Sequence, residues 1–445
     1  MSLPTEILGS IFSHYAQQAD DLSPVETLLL VSHSWHDAAL AYRKVWSYLL
    51  IEIGHIRSIQ KWRSRLPMRL ERLGPVHPLD ITLRNVYSDD SHPASSFANR
   101  PTPGGPRELA SSVEQGVYQV RHYILNFLQI LAGVNGKQAA RWRSLELDFG
   151  DQRWECEGDR GQYRFAWKVL SYPTPVLRSL SISNLETYGC DRLFGRSLLP
   201  FSPLLESANL TNCSLGCFPD LIAATEVSVS IPCSQGSKSR KLNIGPRTRM
   251  LYLRIPLNIH ITLRNALHNL RHLKLCGANL PINLRTIQAP NLTELTIFPD
   301  SSSLLESLAQ QNVILSQISQ ITCLWPSTTS FRPELLRDVL SKMHNLDVLR
   351  GNRRVLEEVL NILSGEVAAH AHAADDAVNA DNTSLLSTKS LRLQWIEGEG
   401  DLSIEPPLSW HAWKSSILES SLLAADETWM QYFCTLGIAR TPQGT

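Results

Sequence analysis

The stretch that decides the fold is residues 270–280, LRHLKLCGANL, and the same pattern occurs at residues 205–215, LESANLTNCSL. In both copies apolar residues occupy the first, fourth, sixth and eleventh positions, and a small residue occupies the ninth. Such alternation predicts a short β-strand with one buried face. Weaker copies begin at Trp142, Leu177, Thr248, Leu292, Ile318 and Leu346.

The spacing of these copies indicates how the strands are arranged. Starts at 248, 270, 292, 318 and 346 are 22, 22, 26 and 28 residues apart. These intervals match the period of leucine-rich repeats, roughly 20–29 residues, in which stacked copies bury apolar surface that one copy cannot bury alone. The pattern therefore resembles a degenerate leucine-rich repeat and implies an irregular α/β solenoid. The alternative is an ordinary α/β domain with leucine-rich strands.

The first fifty residues have a different pattern, which is typical of three short amphipathic helices. Ile7, Leu8, Ile11, Phe12 and Tyr15 recur at helical spacing in the first of them. A module of this size leaves much of its surface exposed. Part of the apolar stripe must therefore pack against the rest of the chain or against a protein partner.

The order and spacing of residues 3–46 resemble the F-box. The shared segments are Leu3-Pro4-x-Glu6-Ile7-Leu8-x-x-Ile11-Phe12, Leu30-Val31-Ser32-x-x-Trp35 and Val45-Trp46. F-box modules bind the adaptor Skp1, which connects them to a cullin–RING ubiquitin ligase. The resemblance implies that Trp35 and Trp46 pack internally, and that one set of residues faces Skp1. This set is Leu3, Pro4, Ile7, Leu8, Ile11, Phe12 and Val31.

The segment after this module extends the resemblance more weakly. A basic amphipathic stretch, KWRSRLPMRLERL at residues 61–73, precedes the strand-like PLDITL at residues 78–83. This arrangement is similar to the region that comes after the F-box in proteins of mushroom-forming fungi. The basic stretch itself is typical of a solvated helix face.

Changes in composition divide the chain into five predicted regions. They are an F-box helical module at 1–50, a helical linker with a first strand at 51–136, a leucine-rich-repeat-like solenoid at 137–364, a low-complexity loop at 365–384, and a last repeat with a capping helix at 385–445. Within the linker, residues 88–105 are rich in Ser, Pro, Asn, Asp and Gly, which predicts a mobile loop.

Composition also limits the classes of function. The 42 Lys and Arg residues balance 42 Asp and Glu, so the chain lacks the overall positive charge that drives nucleic-acid binding. The apolar runs are too short to cross a bilayer, and the N-terminus lacks the features of a signal peptide. Eight scattered cysteines without a CxxC pair predict buried reduced thiols. We expect a cytoplasmic or nuclear protein that binds neither nucleic acid nor membrane.

No motif predicts catalysis, a cofactor or a metal site. The patterns GxSxG, GxxxxGK[ST], HExxH and GxGxxG are all absent, and His370 and His372 lack further ligand-spaced partners. The resemblance therefore implies a non-catalytic adaptor that recruits a protein substrate to an SCF (Skp1–cullin–F-box) ubiquitin ligase. The alternative is a protein-interaction scaffold that acts outside any ligase.

Charge is distributed unevenly along the chain. Residues 238–274 hold nine Lys or Arg and no acidic residue, whereas residues 357–445 hold thirteen acidic and four basic residues. Residues between the buried positions of a repeat point outward from its strand, which predicts a substrate face on the sheet. The face comprises Tyr252, Arg254, His272, Lys274, Glu294 and Thr296. Cations beside an aromatic ring suit an acidic or phosphorylated peptide; the alternative is that they only solvate the sheet.

Overall fold

A helical N-terminal region followed by parallel β-sheet makes up the computed structural model of this chain. The described residues are 3–18, 24–53, 56–86, 123–150, 169–185, 198–213, 219–231, 238–255, 259–263, 266–277, 288–299, 302–325, 332–352, 354–359, 361–362, 391–395 and 439–440. They belong to two compact units, Met1–Pro232 and Cys233–Thr445. The predicted loops at 88–105 and 365–384 and the predicted capping helix lie outside the described residues.

The N-terminal region of the first unit contains α1 (Thr5–Gln18), α2 (Pro24–Leu29), α3 (His33–Ala41) and a 3₁₀ turn at Arg43–Ser47. Ser32 caps α3, because its hydroxyl accepts the backbone N–H of Trp35 at 3.2 Å. Gly9 lets α1 lie against the ring of Tyr42, since a Cβ at this position would stand 2.5 Å from Tyr42 Cγ. Trp46 is buried, and its indole N–H donates to the carbonyl of Ala39 at 2.9 Å.

Six parallel strands follow in the first unit. They are β1 (Tyr48–Ile53), β2 (Leu79–Asn85), β3 (Trp142–Asp148), β4 (Ser179–Ser183), β5 (Ser207–Thr211) and β6 (Glu226–Ser230), with α4 (Ile56–Leu73) between β1 and β2. Each strand pairs in parallel with the next strand along the chain. A further helix covers residues 123–132. Sheet order therefore equals chain order within this unit.

The second unit repeats this arrangement. Its strands are β7 (Lys238–Leu242), β8 (Met250–Ile255), β9 (Ile259–Leu263), β10 (His272–Gly277), β11 (Glu294–Pro299), β12 (Gln320–Cys323), β13 (Val348–Gly351), β14 (Arg392–Trp395) and β15 (Ala439–Arg440). Strands β8 and β10 to β15 pair in parallel in chain order, and β7 pairs with β9. Its helices cover Ser302–Ala309, Asn312–Leu315, Pro333–Leu340 and residues 354–359.

Each of the eight sequence copies contains one of these strands, and a common turn precedes each of them. In that turn the first residue of the copy donates its backbone N–H to the carbonyl three residues earlier. The bonds are Trp142 to Ala139, Leu177 to Thr174, Leu205 to Ser202, Thr248 to Gly245, Leu270 to Leu267, Leu292 to Ala289, Ile318 to Leu315 and Leu346 to Met343. The prediction of a mixed α/β fold with an N-terminal helical region is confirmed.

Asparagine side chains connect successive turns of the second unit. Asn269 donates to the carbonyl of Pro246 at 2.8 Å, and Asn291 donates to that of His268 at 2.6 Å. Asn345 makes the equivalent bond farther along the chain, to the carbonyl of Ser316 at 2.8 Å. Because the asparagine precedes the first residue of its copy in all three cases, adjacent copies are held in the same register.

Candidate functional site

Some apolar residues of α1 face the interior of the helical module, and others face solvent. Leu8 and Phe12 are buried within the helical module, and the ring of Phe12 lies 4.9 Å from that of Trp35. Ile7 and Ile11, in contrast, are 49% and 47% exposed. The resemblance-based set of Skp1-facing residues therefore requires a correction. Leu8 and Phe12 pack internally, because their side of α1 is covered by the module itself.

The other predicted Skp1-facing residues lie on the surface. Leu3, Pro4, Ile7, Ile11 and Val31 are all exposed. Two neighbours that were not in the predicted set join them, since Tyr15 is 40% exposed and Leu30 is 86% exposed. We call Leu3, Ile7, Ile11, Tyr15, Leu30 and Val31 the exposed apolar set.

A buried ion pair fastens α2 to α4. The guanidinium of Arg69 donates to both carboxylate oxygens of Glu26, with Nε at 3.1 Å from Oε1. Arg69 has 1% of its side chain exposed and lies 5.0 Å from the ring centroid of Trp62. The basic stretch after the module is therefore not only a solvated face, because one of its cations holds the helices together.

The predicted substrate face lies on one side of the sheet of the second unit. Parallel register places Tyr252, Lys274 and Thr296 in one row across β8, β10 and β11. His272 and Glu294 are aligned in the preceding row. Arg254 lies in the following row, together with Cys276 and Phe298. The structure thus brings all six predicted residues together, on three adjacent strands.

Lys274 lies between two aromatic rings. Its Nζ is 4.9 Å from the ring centroid of Tyr252 and 4.9 Å from that of Phe298. Attraction between an ammonium group and ring faces fixes the amine in place. The prediction from sequence did not include Phe298, although the period of two that selected Glu294 and Thr296 also selects residue 298.

His272 is bound to its neighbours on β11. Its Nε2 lies 2.9 Å from Thr296 Oγ1, and its Nδ1 lies 3.7 Å from Glu294 Oε2. Burial lowers the pKa of His272 below its ordinary value, and the charges of Lys274 and Arg350 lower it further, against the attraction of Glu294. The surrounding face therefore favours the neutral form of the ring.

The described residues contain cysteine thiols but no metal-ligating cluster. Nowhere among them do three or more His, Cys, Asp or Glu side chains come together in a way that could hold a metal ion. Cys213 and Cys323 are buried thiols, and burial raises the pKa of Cys323 to about 12. Such a thiol stays protonated at neutral pH and is a poor nucleophile.

Comparison with known proteins gives no family for this chain. No protein-family model matches it, and no curated protein matches it in sequence. Within the part of the chain that the structure describes, no helix is long and apolar enough to span a membrane. The function is therefore inferred from the geometry of the two surfaces described above.

Proposed function

We propose that this chain is a substrate-recognition adaptor of an SCF-type ubiquitin ligase. In this proposal the N-terminal helices are an F-box that binds Skp1 and, through Skp1, a cullin. The parallel sheets are a leucine-rich-repeat-like solenoid that recruits a protein substrate. Ubiquitin transfer is carried out by the partner complex, so this chain needs no active site of its own.

The exposed apolar set is the observation that carries the proposal. Six large apolar residues are exposed among the described residues of the first 31 positions, although the module already buries Leu8, Phe12 and Trp46. Isolated exposed apolar residues are ordinary, but a concentration of them is typical of a protein interface. Burying the exposed half of Ile7 and of Ile11 in a partner contributes about 1 kcal/mol for each residue.

Repetition of the strand and its turn supports the solenoid part of the proposal. Sheet order equals chain order in the first unit and along β8 and β10 to β15 of the second, and turns of the second unit are linked through Asn269, Asn291 and Asn345. Stacked repeats in which each contacts only its neighbours have this arrangement. It presents outward-facing residues of neighbouring strands as one binding surface.

Co-purification with Skp1 tests the proposal. The informative variant is Ile7→Asp/Ile11→Asp, because both side chains are exposed and the charges will face the partner instead of the module interior. We expect this variant to lose Skp1 while its free energy of unfolding changes by less than about 0.5 kcal/mol for each substitution. Leu8→Asp is unsuitable, since a charge at this buried position will unfold the module.

Met68→Asp is the matched control. Met68 is 39% exposed on α4 and is also an apolar residue that the substitution replaces by a charge. We expect the control to retain Skp1. If the wild-type chain fails to bind purified Skp1, or if Ile7→Asp/Ile11→Asp binds it as well as wild type does, the adaptor proposal is wrong and the scaffold alternative stands.

A further inference from the structure

The second unit carries a basic–aromatic cluster on its outward face, which we define as Tyr252, Arg254, Lys274 and Phe298. We propose that this cluster binds an extended, Asp/Glu-rich segment of a partner protein. In this complex Lys274 binds one carboxylate of the segment and Arg254 binds another. The inference rests on the proposed function only for the statement that this partner is the recruited substrate. The binding site itself is argued from the residues of the sheet.

Lys274 is positioned to receive an anion. Its amine is held between the rings of Tyr252 and Phe298, yet an ammonium group has three hydrogen-bond donors and ring faces occupy them weakly. Among the described residues, no carboxylate pairs with Lys274. Because the rings have already restricted this side chain, less conformational entropy remains to be lost when it binds.

Arg254 provides a second cation at a matching distance. It is exposed and lies two residues beyond Tyr252 on β8, whereas Lys274 pairs with Tyr252 on the adjacent strand. Strand geometry separates the backbones at Arg254 and Lys274 by roughly 8 Å. Alternate side chains of an extended segment are spaced by roughly 6.6–6.8 Å. Two carboxylates of such a segment can therefore reach both flexible cations, while its backbone lies along the sheet.

The remaining charges on this face favour an acidic ligand. Glu294 is the one acidic residue among the described outward-facing residues of β8 and β10 to β13, and it lies against His272. Arg350 lies on the same face in the row of Lys274 and Tyr252 and adds positive potential. Charge-assisted hydrogen bonds from Lys and Arg to carboxylates are about twice as strong as neutral ones. The aromatic rings favour a segment that also contains an apolar residue.

The test measures peptide binding by the full-length chain. The probe is a fluorescein-labelled Glu-rich peptide containing one leucine, and its anisotropy is followed during titration with protein. We expect saturable binding that weakens as NaCl is raised, and a matched Gln-for-Glu peptide that does not bind. Lys274→Glu and Arg254→Glu should each weaken binding by about tenfold or more.

Arg247→Glu is the matched control, because Arg247 is exposed but lies in the turn before β8 and not on the outward face. It should leave the affinity within about twofold of wild type, since a distant exposed charge is largely screened by salt. Because Lys274 is partly buried, thermal unfolding of each variant is measured, and the exposed Arg254 provides a variant that keeps the fold if Lys274→Glu does not.

Three results would overturn the inference. The first is equal affinity for the Glu and Gln peptides, and the second is an equal loss of affinity for the Glu peptide in Arg254→Glu and Arg247→Glu. The third is tighter binding of a single-stranded oligonucleotide than of the Glu peptide. A marked preference for a phosphoserine version would replace carboxylates by phosphate as the ligand and would also contradict the inference as stated. Co-purification of the same variants with Skp1 distinguishes failure of this inference from failure of the adaptor proposal. If the variants retain Skp1, only the peptide-binding inference is overturned.

Discussion

Replacing Arg69 with alanine will destabilise the first unit by about 3 kcal/mol. Breaking a buried ion pair by removing one partner usually costs about 3–5 kcal/mol, because the remaining charge is left uncompensated. The lower end applies here, since Glu26 keeps 22% of its side chain exposed and retains Arg65 at 3.9 Å. The truncation also removes the contact of the guanidinium with Trp62. The expected fall in melting temperature is about 6–12 °C.

Two assays together measure this effect. Urea denaturation gives the free energy of unfolding, and hydrogen exchange read by mass spectrometry shows whether protection is lost locally in α2 and α4. Arg63→Ala is the control, because Arg63 is an exposed arginine on the same helix and its loss should change the stability by less than about 0.5 kcal/mol.

A double-mutant cycle with Glu26→Gln and Arg69→Met isolates the pair itself. Methionine keeps much of the apolar volume of Arg69, so the coupling energy reports the charged hydrogen bonds and should be about 1.5–3 kcal/mol. The ion pair does not fasten α2 to α4 if Arg69→Ala lowers the free energy of unfolding no more than Arg63→Ala does. The same conclusion holds if the effects of Glu26→Gln and Arg69→Met on that free energy are additive within about 0.5 kcal/mol.

Two further predictions concern titrating groups in the second unit. The pKa of His272 is lowered below its ordinary value of 6.5 by burial, Lys274 and Arg350 against the attraction of Glu294, so its contribution to stability is complete above pH 6.5 and declines as the pH falls below it. Urea denaturation at several pH values should show a larger loss on acidification in wild type than in His272→Gln, and identical pH dependences would contradict this. Burial raises the pKa of Cys323 to about 12, so iodoacetamide at neutral pH should label it only after denaturation, and rapid labelling of the folded protein, detected by mass spectrometry, would show that the site is open.

The sequence predicts the strands well because their signal is local. Alternating apolar residues such as Leu273 and Leu275 must share one face of a strand, and both are buried. The period cannot decide which half of a wide helical stripe faces inward. Ile7 and Leu8 are adjacent in sequence and differ by about 100° around α1, so the packing of α1 against the rest of the module determines that Leu8 is buried and Ile7 is exposed.

Two features were missed because they depend on residues far apart in the chain. Arg69 belongs to a basic stretch that is typical of solvated helices, and its partner Glu26 lies 43 positions earlier. Phe298 comes directly after the apolar residues of β11, and nothing in that pattern indicates a cation nearby. Its contact with Lys274 exists because β10 and β11 pair in register. No short-range pattern encodes either contact, because each is created by the packing of complete elements.

Described cations contact aromatic rings in both units: Arg69 lies over Trp62 and Arg72 over Trp46 in the first, and Lys274 lies beside Tyr252 and Phe298 in the second. In the first unit Arg69 lies over Trp62 but also binds Glu26, which completes its hydrogen bonding inside the protein. Other cations of that unit also have carboxylate partners: Arg84 with Glu146, Arg143 with Asp80 and Arg178 with Glu206. On the face of the second unit, Lys274 has two rings and no such partner among the described residues. A cation that has no counter-ion among the described residues favours an anionic ligand from outside, and we therefore expect the acidic segment at this face.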